Sequence, residues 1–394
     1  MKKTVLVAIL LICVVFGLSS DPSKNLYTVV VPEEYTSFVL NGVFGSLGMT
    51  NDLLQIDVNF SPTRFGFGLG LQGSYEWYRQ QTETEMSIPA DITVQIRDND
   101  FLFDIGASPY FTSHTLDIAG FPGFWGVGGN FDFDVYSLFS GLNWVDLSIL
   151  PYGEVGIGRT HSIYTLKKIE TIMRHLDVEP TEDLILEVAK IMYRERELKT
   201  QYAEDYVENH ISYYASIAQV LGRSSQVDKL ILIDNSQHYT FTMRRYLGMR
   251  SGWKAGVRFT PGLVYAVTPT SPSSIDFNGA VKLFGEYGSF LIEDMVHLGA
   301  VGEIVLALET NSTPTFFSMI SSSGTVTYLP ETYRWWADGT VGFVVNTANT
   351  PAISLNLSAK IHYLIHSSFM VHGGVSLNTA TRLRLFAGGQ IRLW

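Results

Sequence analysis

The stretch Arg64–Tyr78, RFGFGLGLQGSYEWY, sets Phe65, Phe67, Leu69, Leu71, Tyr75 and Trp77 at odd positions. Arg64, Gln72, Ser74, Glu76 and glycines take the even ones. Strand side chains alternate across the pleat, so one face of this strand is apolar and the other polar. A globular core or a lipid bilayer would each suit the apolar face.

The same period recurs along most of the chain. LLQIDVNF opposes Leu54, Ile56, Val58 and Phe60 to Gln55, Asp57 and Asn59. FWGVGGNFDFDVYS opposes Trp125, Val127, Phe131, Phe133 and Val135 to Gly126, Gly128, Asn130, Asp132 and Asp134. PAISLNLSAKIHYLI repeats the pattern from Ile353 to Tyr363, and turn-forming residues separate the segments. The alternation predicts strands near 37–48, 53–61, 64–78, 90–97, 101–112, 123–137 and 147–159. Seven more are predicted near 253–267, 276–288, 296–309, 334–346, 352–365, 368–378 and 381–394. About 14 strands, with a range of 12–16, make an even total that a closed single-chain barrel requires.

Residues 1–20 read as a secretory signal peptide, because two lysines precede a short apolar run and small residues follow it. Cys13 lies inside that run with Ile12 before it, which argues against a lipoprotein cysteine. Removing the signal removes the only cysteine, so no disulfide is available to the exported chain. Without Lys2 and Lys3 the 27 basic residues become 25 against 38 acidic ones, a formal charge of −13 that argues against nucleic acid as a partner. No later segment reaches the roughly 18 apolar residues of a membrane helix, so any spanning is by strands.

Between about Ser162 and Leu221 the apolar spacing changes to three and four. Thr181 is the predicted N-cap of a helix whose first turn holds Glu182 and Asp183, and Gly222 is a predicted C-cap. The domain organisation is therefore a signal peptide (1–20), a first barrel half (21–159), a helical insertion (160–250) and a second barrel half (251–394). The helical stripes need a surface to cover, either one another, the barrel mouth or a protein partner. Seven strands before the insertion would put it outside the cell, and six or eight would put it in the periplasm.

Three features separate a membrane barrel from a secreted sandwich. Phe65, Tyr75, Trp77, Trp125, Trp253, Tyr265 and Tyr287 sit near strand ends, where interfacial aromatics belong. Charges occupy mid-strand polar faces, and the chain ends on the strand TRLRLFAGGQIRLW. On these features the chain resembles the Gram-negative outer-membrane β-barrel proteins, porin-like ones in particular. The resemblance implies a closed all-β transmembrane barrel in the outer membrane, inserted by the barrel-assembly machinery. Trp394 is out of phase with the apolar face of its strand, a departure from the terminal signal of that group.

If apolar faces meet lipid, polar faces line a lumen. The first half then contributes Asp57, Glu76, Asp104, Asp132, Asp134 and Glu154, with Arg64 the exception, and the second Lys254, Arg258, Lys282, Lys360, Arg382, Arg384 and Arg392 but also Glu286, Glu303 and Glu309, so one wall leans acidic and the other basic. Two such walls would set a transverse field in a channel for small solutes; alternatively the charges pair and hold the barrel's shape. The glycine runs lack the following helix of a phosphate-binding loop, no metal-ligand spacing occurs, and His372 with Ser376 lacks a third partner. The expectation is therefore a non-enzyme without cofactor, either a porin-like channel or an anchor presenting its helices to a partner.

Overall fold

The computed structural model describes residues 29–42, 45–50, 53–56, 68–97, 100–138, 143–195, 198, 206–238, 244–246, 248–268, 271–292, 295–309, 315–330, 334–346, 353–366, 369–378 and 382–392. The expected signal peptide, Asp57, Phe65 and Trp394 lie outside them. Before the insertion come β1 (Glu33–Gly42), β2 (Gly45–Thr50), β3 (Leu53–Ile56), β4 (Gly68–Gln80), β5 (Thr84–Arg97), β6 (Asp100–Ala107), β7 (Tyr110–Ile118), β8 (Phe121–Leu138) and β9 (Asn143–Ser162). After it come β10 (Arg250–Thr268), β11 (Ser271–Ile292), β12 (Val296–Glu309), β13 (Thr315–Tyr328), β14 (Trp335–Asn346), β15 (Ile353–His366), β16 (Phe369–Asn378) and β17 (Arg382–Arg392).

All pairings are antiparallel and they close into a ring: β9 pairs β10, successive strands pair through β17, and β17 returns through β3, β2 and β1 to β4 and β5. Strands β6 and β7 lie end to end between β5 and β8, so the 17 segments fill one place fewer, sixteen. That is within the expected range, with eight places on each side of the insertion where the alternation predicts seven. The added places are β2, separate from β1, and β13. Closure gives every strand two neighbours, which satisfies the backbone without water and permits a lipid environment.

Faces follow the alternation. Val257 and Phe259 on β10, Val281 and Leu283 on β11, and Ile353, Leu357, Ile361 and Ile365 on β15 are exposed outward. Their sequence neighbours Arg258, Lys282 and His362 point inward. On β12 Val301 shares the inward phase of Glu303, whose carboxylate meets Lys282, yet Val301 is 45% exposed. The lumen thus has free space at that level.

Between Ser162 and Arg250, which pair directly, stand α1 (Tyr164–His175), α2 (Glu182–Tyr193), α3 (Tyr206–Val220) and α4 (Val227–His238), followed by a 3-10 turn at Arg244–Tyr246. The amphipathic stripes meet one another: Leu166, Ile169 and Met173 pack with Ile185, Val188, Tyr214, Ile217 and Leu230 in one buried core. Val29 and Val31, just before β1, belong to the same core. Thr181 occupies the N-cap of α2 in extended conformation, without a side-chain cap hydrogen bond. Gly222 ends α3 at φ +64°, where the Arg223 N–H reaches the Ala218 carbonyl at 2.7 Å. A left-handed residue at that position favours glycine.

The insertion is rooted in the barrel rim. Glu33, at the start of β1, accepts from Ser162 Oγ at 2.8 Å and from the Thr165 N–H at 3.1 Å. Gln80, at the end of β4, accepts from the Ser162 N–H at 2.9 Å. Since β17 ends beside the start of β16 (Phe369↔Ile391), the helices share one barrel end with both ends of the sheet. There the roots of the insertion supply Ile163, Tyr246 and Met249 to a buried cluster with Phe290, Leu329, Trp336 and Met370.

Lys167 reaches into this cap. Its ammonium lies 5.1 Å from the centre of the Phe290 ring and 5.7 Å from that of Tyr246, and pairs with Glu170 at 2.9 Å. Burial pulls its pKa down from about 10.5 to about 8, against the opposing pull of Glu170. A lysine depressed in the folded state binds fewer protons there than when unfolded. The folded insertion should therefore gain stability as pH rises from about 8 to about 10.5, and be penalised below that window. Helix melting followed by circular dichroism across this range should show the rise. In Lys167→Met the slope should flatten, and an unchanged slope would refute the assignment.

Candidate functional site: the barrel lumen

Glycine decides where the lumen narrows. A Cβ at Gly156 would stand 2.6 Å from the tip of Phe124, and one at Gly256 3.1 Å from it, so these small residues make room for a fully buried inward aromatic. Phe124 and Phe284 approach to 6.2 Å between ring centres. The Lys254 ammonium lies about 6 Å from both rings, 6.0 and 5.9 Å. Arg258 stacks its guanidinium 4.0 Å from the centre of the Tyr152 ring. Favourable electrostatics between cation and ring face hold such contacts where water is scarce.

The predicted basic residues in this region are each matched by a carboxylate on a neighbouring strand. Arg258 meets Glu154 at 2.7 Å, Lys254 meets Glu286 at 3.2 Å and Lys282 meets Glu303 at 2.7 Å. Lys360 faces Asp338 across the β14–β15 ladder. Arg382 and Arg384 stand opposite Asn378 and Ser376, and Arg392 opposite Leu53, by register alone. Glu76 stands between Ser37 on β1 and Pro89 on β5, by register alone.

Uncompensated charge gathers instead on β5, β6, β8 and β9. Carboxylate oxygens of Asp104, Asp132 and Asp134 lie within 4.8 Å of one another. Asp146 stands opposite Asp134, and the Asp91 carboxylate crowds Gly106. None of these five has a cationic partner among the described residues. The group lies on the half of the barrel away from the helices.

At the helix end, directly below the apolar cap, the lumen opens into a pocket of about 500 Å³. Its wall includes Arg250, Glu286, His297, Asp338, Lys360 and His362. Arg250 is held by Glu85 at 2.8 Å and by Thr160 Oγ1 at 3.2 Å, and its backbone carbonyl sits 2.8 Å from His297 Nε2. Asp338 accepts from Thr327 Oγ1 at 2.8 Å and pairs with His362 Nε2 at 3.0 Å, while His362 stacks on Trp336 at 4.5 Å. Sequence periodicity placed Lys360 and His362 inward. It does not show that Thr160 and Asp338 line the same pocket, or that Glu85 holds Arg250.

The outward aromatics form a belt at the same level. Trp253 pairs Tyr287, Trp335 pairs Tyr363, and Tyr328 packs on Trp335 with ring centres 5.4 Å apart. Trp77 lies three residues from the end of β4 and donates to Glu34 at 3.1 Å. Tyr287 differs from a fully lipid-facing residue in being only 8% exposed. Tyr75 and Trp125 are exposed on outward faces, and Tyr265 lies toward the opposite end of β10. Aromatic belts of this kind mark a membrane interface.

No protein-family model and no curated protein sequence matches the chain. Solved structures similar to it include the CymD monoaromatic hydrocarbon channel (6% identity, TM-score 0.34, covering 96% of this chain and 93% of that one). Others are the toluene transporter TbuX of Ralstonia pickettii (8%, 0.32, 94% and 92%) and the outer membrane protein Omp33 of Acinetobacter baumannii (6%, 0.29, 93% and 100%). At these TM-scores the likeness does not extend to a shared site or solute.

Proposed function

We infer that this closed antiparallel sheet, with its apolar exterior, aromatic belt and charged interior, is an outer-membrane β-barrel. We propose that it acts as a porin-like channel for passive or weakly selective passage of small solutes, narrowed at one end by the roots of its helical insertion. The exposure of Val301 on the inward face carries this reading, because a side chain on a filled lumen wall would be covered. Barrels with sixteen strands are wide enough to leave an aqueous interior. Both sheet ends of a bacterial barrel belong on the periplasmic side, so the helices that share their end are periplasmic in this reading. Barrel-assembly machinery would insert the chain from that side.

Planar-bilayer recording of the purified protein tests the channel. Discrete conductance steps are expected, and their absence at every voltage would overturn it. With these five aspartates in the lumen and no cationic partner for them among the described residues, the current should favour cations. The triple variant of Asp104, Asp132 and Asp134 to Asn should reduce the cation-to-anion permeability ratio roughly threefold, read from the reversal potential in a salt gradient.

A second reading, an anchor that presents its helices to a protein partner, is favoured by Leu232 and Ile211, which are exposed on α4 and α3. It gains ground if no conductance is found and a partner is cross-linked through those two positions.

A further inference from the structure

The pocket beneath the cap presents paired charges of opposite sign on two of its walls. On the first, Thr160 Oγ1 lies 3.2 Å from both Arg250 Nε and Glu286 Oε2, so a cation and an anion stand side by side. On the second, Asp338 and Lys360 are cross-strand partners. In the first wall the supporting groups are recessed. Glu85 is 4% exposed against 28% for Arg250, and Lys254 is 13% exposed against 27% for Glu286. Arg250 Nη1 makes no hydrogen bond among the described residues, so the guanidinium keeps donors for a guest.

This arrangement discriminates by charge. A simple anion meets Glu286 and Asp338 as well as the cations, and a simple cation meets Arg250 and Lys360. A solute with both signs a few ångströms apart matches either wall head to tail. The apolar lining from Val301, Met249 and Met370 suits an aliphatic group beside the charged head.

We propose that this pocket binds a zwitterion of amino-acid size. The carboxylate takes hydrogen bonds from Arg250 Nη1, the ammonium donates to Glu286, and the side chain lies toward Val301. The physiological consequence rests on the lumen being a solute path, but binding itself does not require conductance.

Equilibrium dialysis and saturation-transfer NMR on the full chain in detergent micelles test it, with L-leucine, isoamylamine, 4-methylpentanoate and glucose as probes. Leucine should bind on the order of tenfold more tightly than the amine or the acid, the worth of one charge-assisted hydrogen bond. Glu286→Gln should remove most of the advantage of leucine over 4-methylpentanoate. Val301→Trp, which fills the pocket from the position opposite Glu286, should abolish binding, and heat-modifiable migration on gels shows that each variant remains a closed barrel. Equal binding of leucine and its two analogues, competition by glucose at equal strength, or no leucine binding up to its solubility would overturn the proposal. Binding without conductance sinks the channel and leaves the pocket standing; conductance without binding does the reverse.

Discussion

Replacing residues 164–248 by a short turn should leave a closed barrel whose single-channel conductance is on the order of tenfold higher, approaching that of an unobstructed barrel of this size. Two features of the structure lead to this result. Ser162 and Arg250 are already a cross-strand pair, and β9 and β10 are paired along most of their length, so the hairpin does not need the helices to define its register. The seal, by contrast, depends on residues from the roots of the insertion. Tyr246 is deleted outright, and Met249 and Ile163 lose the helix that holds them against Phe290, Trp336 and Met370. What remains of the cluster comes from separate strands, with no side chain bridging the opening. The contacts of Glu33 and Gln80 with Ser162 are retained, whereas the Thr165 contact is lost. Conductance equal to that of the intact protein would mean that the helices do not limit the path.

Much of this barrel is written in the alternation itself, because each strand faces two different solvents and its two faces must differ. Where the faces do not differ, the pattern vanishes. In SMISSSG, Ser318–Gly324, serine and glycine serve both sides of β13, and the alternation there carries no contrast. The predicted strand 37–48 runs β1 and β2 together, because only two residues separate them. In α4, Leu230, Ile231, Leu232 and Ile233 are consecutive, and an unbroken apolar run fits helix or strand equally well. Leu230 is buried and Leu232 exposed, a distinction that only the neighbouring helices create.

Side-chain direction was readable, but side-chain company was not. Glu154 and Arg258, 104 residues apart, meet because the insertion closes a hairpin over them. Thr160 and Glu286 lie 126 residues apart and meet through the same closure. Grouping charges by chain half suggested an acidic and a basic wall, whereas pairing at the β9–β10–β11–β12 seam mixes the signs. The pocket is therefore a property of the ring, with walls drawn from strands on both sides of the insertion.

Asp234→Ala should melt the helical insertion and spare the barrel. Asp234 accepts from Tyr214 Oη at 2.6 Å and pairs with the Lys168 ammonium at 2.8 Å, with 6% and 13% of the two charged side chains exposed. Burial alone would pull the Lys168 pKa down, but Asp234 and Glu195 outweigh it and hold the group charged. Removing Asp234 leaves that ammonium and the Tyr214 hydroxyl in the bundle interior with less to meet them. Breaking one side of a buried ion pair costs about 3 kcal/mol or more, which for a unit of this size lowers the helix melting midpoint by roughly 10–20 °C. Circular dichroism at the helical minimum should show this shift, while the heat-modifiable gel migration of the barrel stays unchanged. The same variant locates the helices. If they are periplasmic, added protease should spare them on intact cells and cut them after outer-membrane permeabilisation, faster in Asp234→Ala than in the parent. Cleavage on intact cells would put the insertion outside, and an unshifted midpoint would show that the Lys168–Asp234 pair does not hold the bundle together.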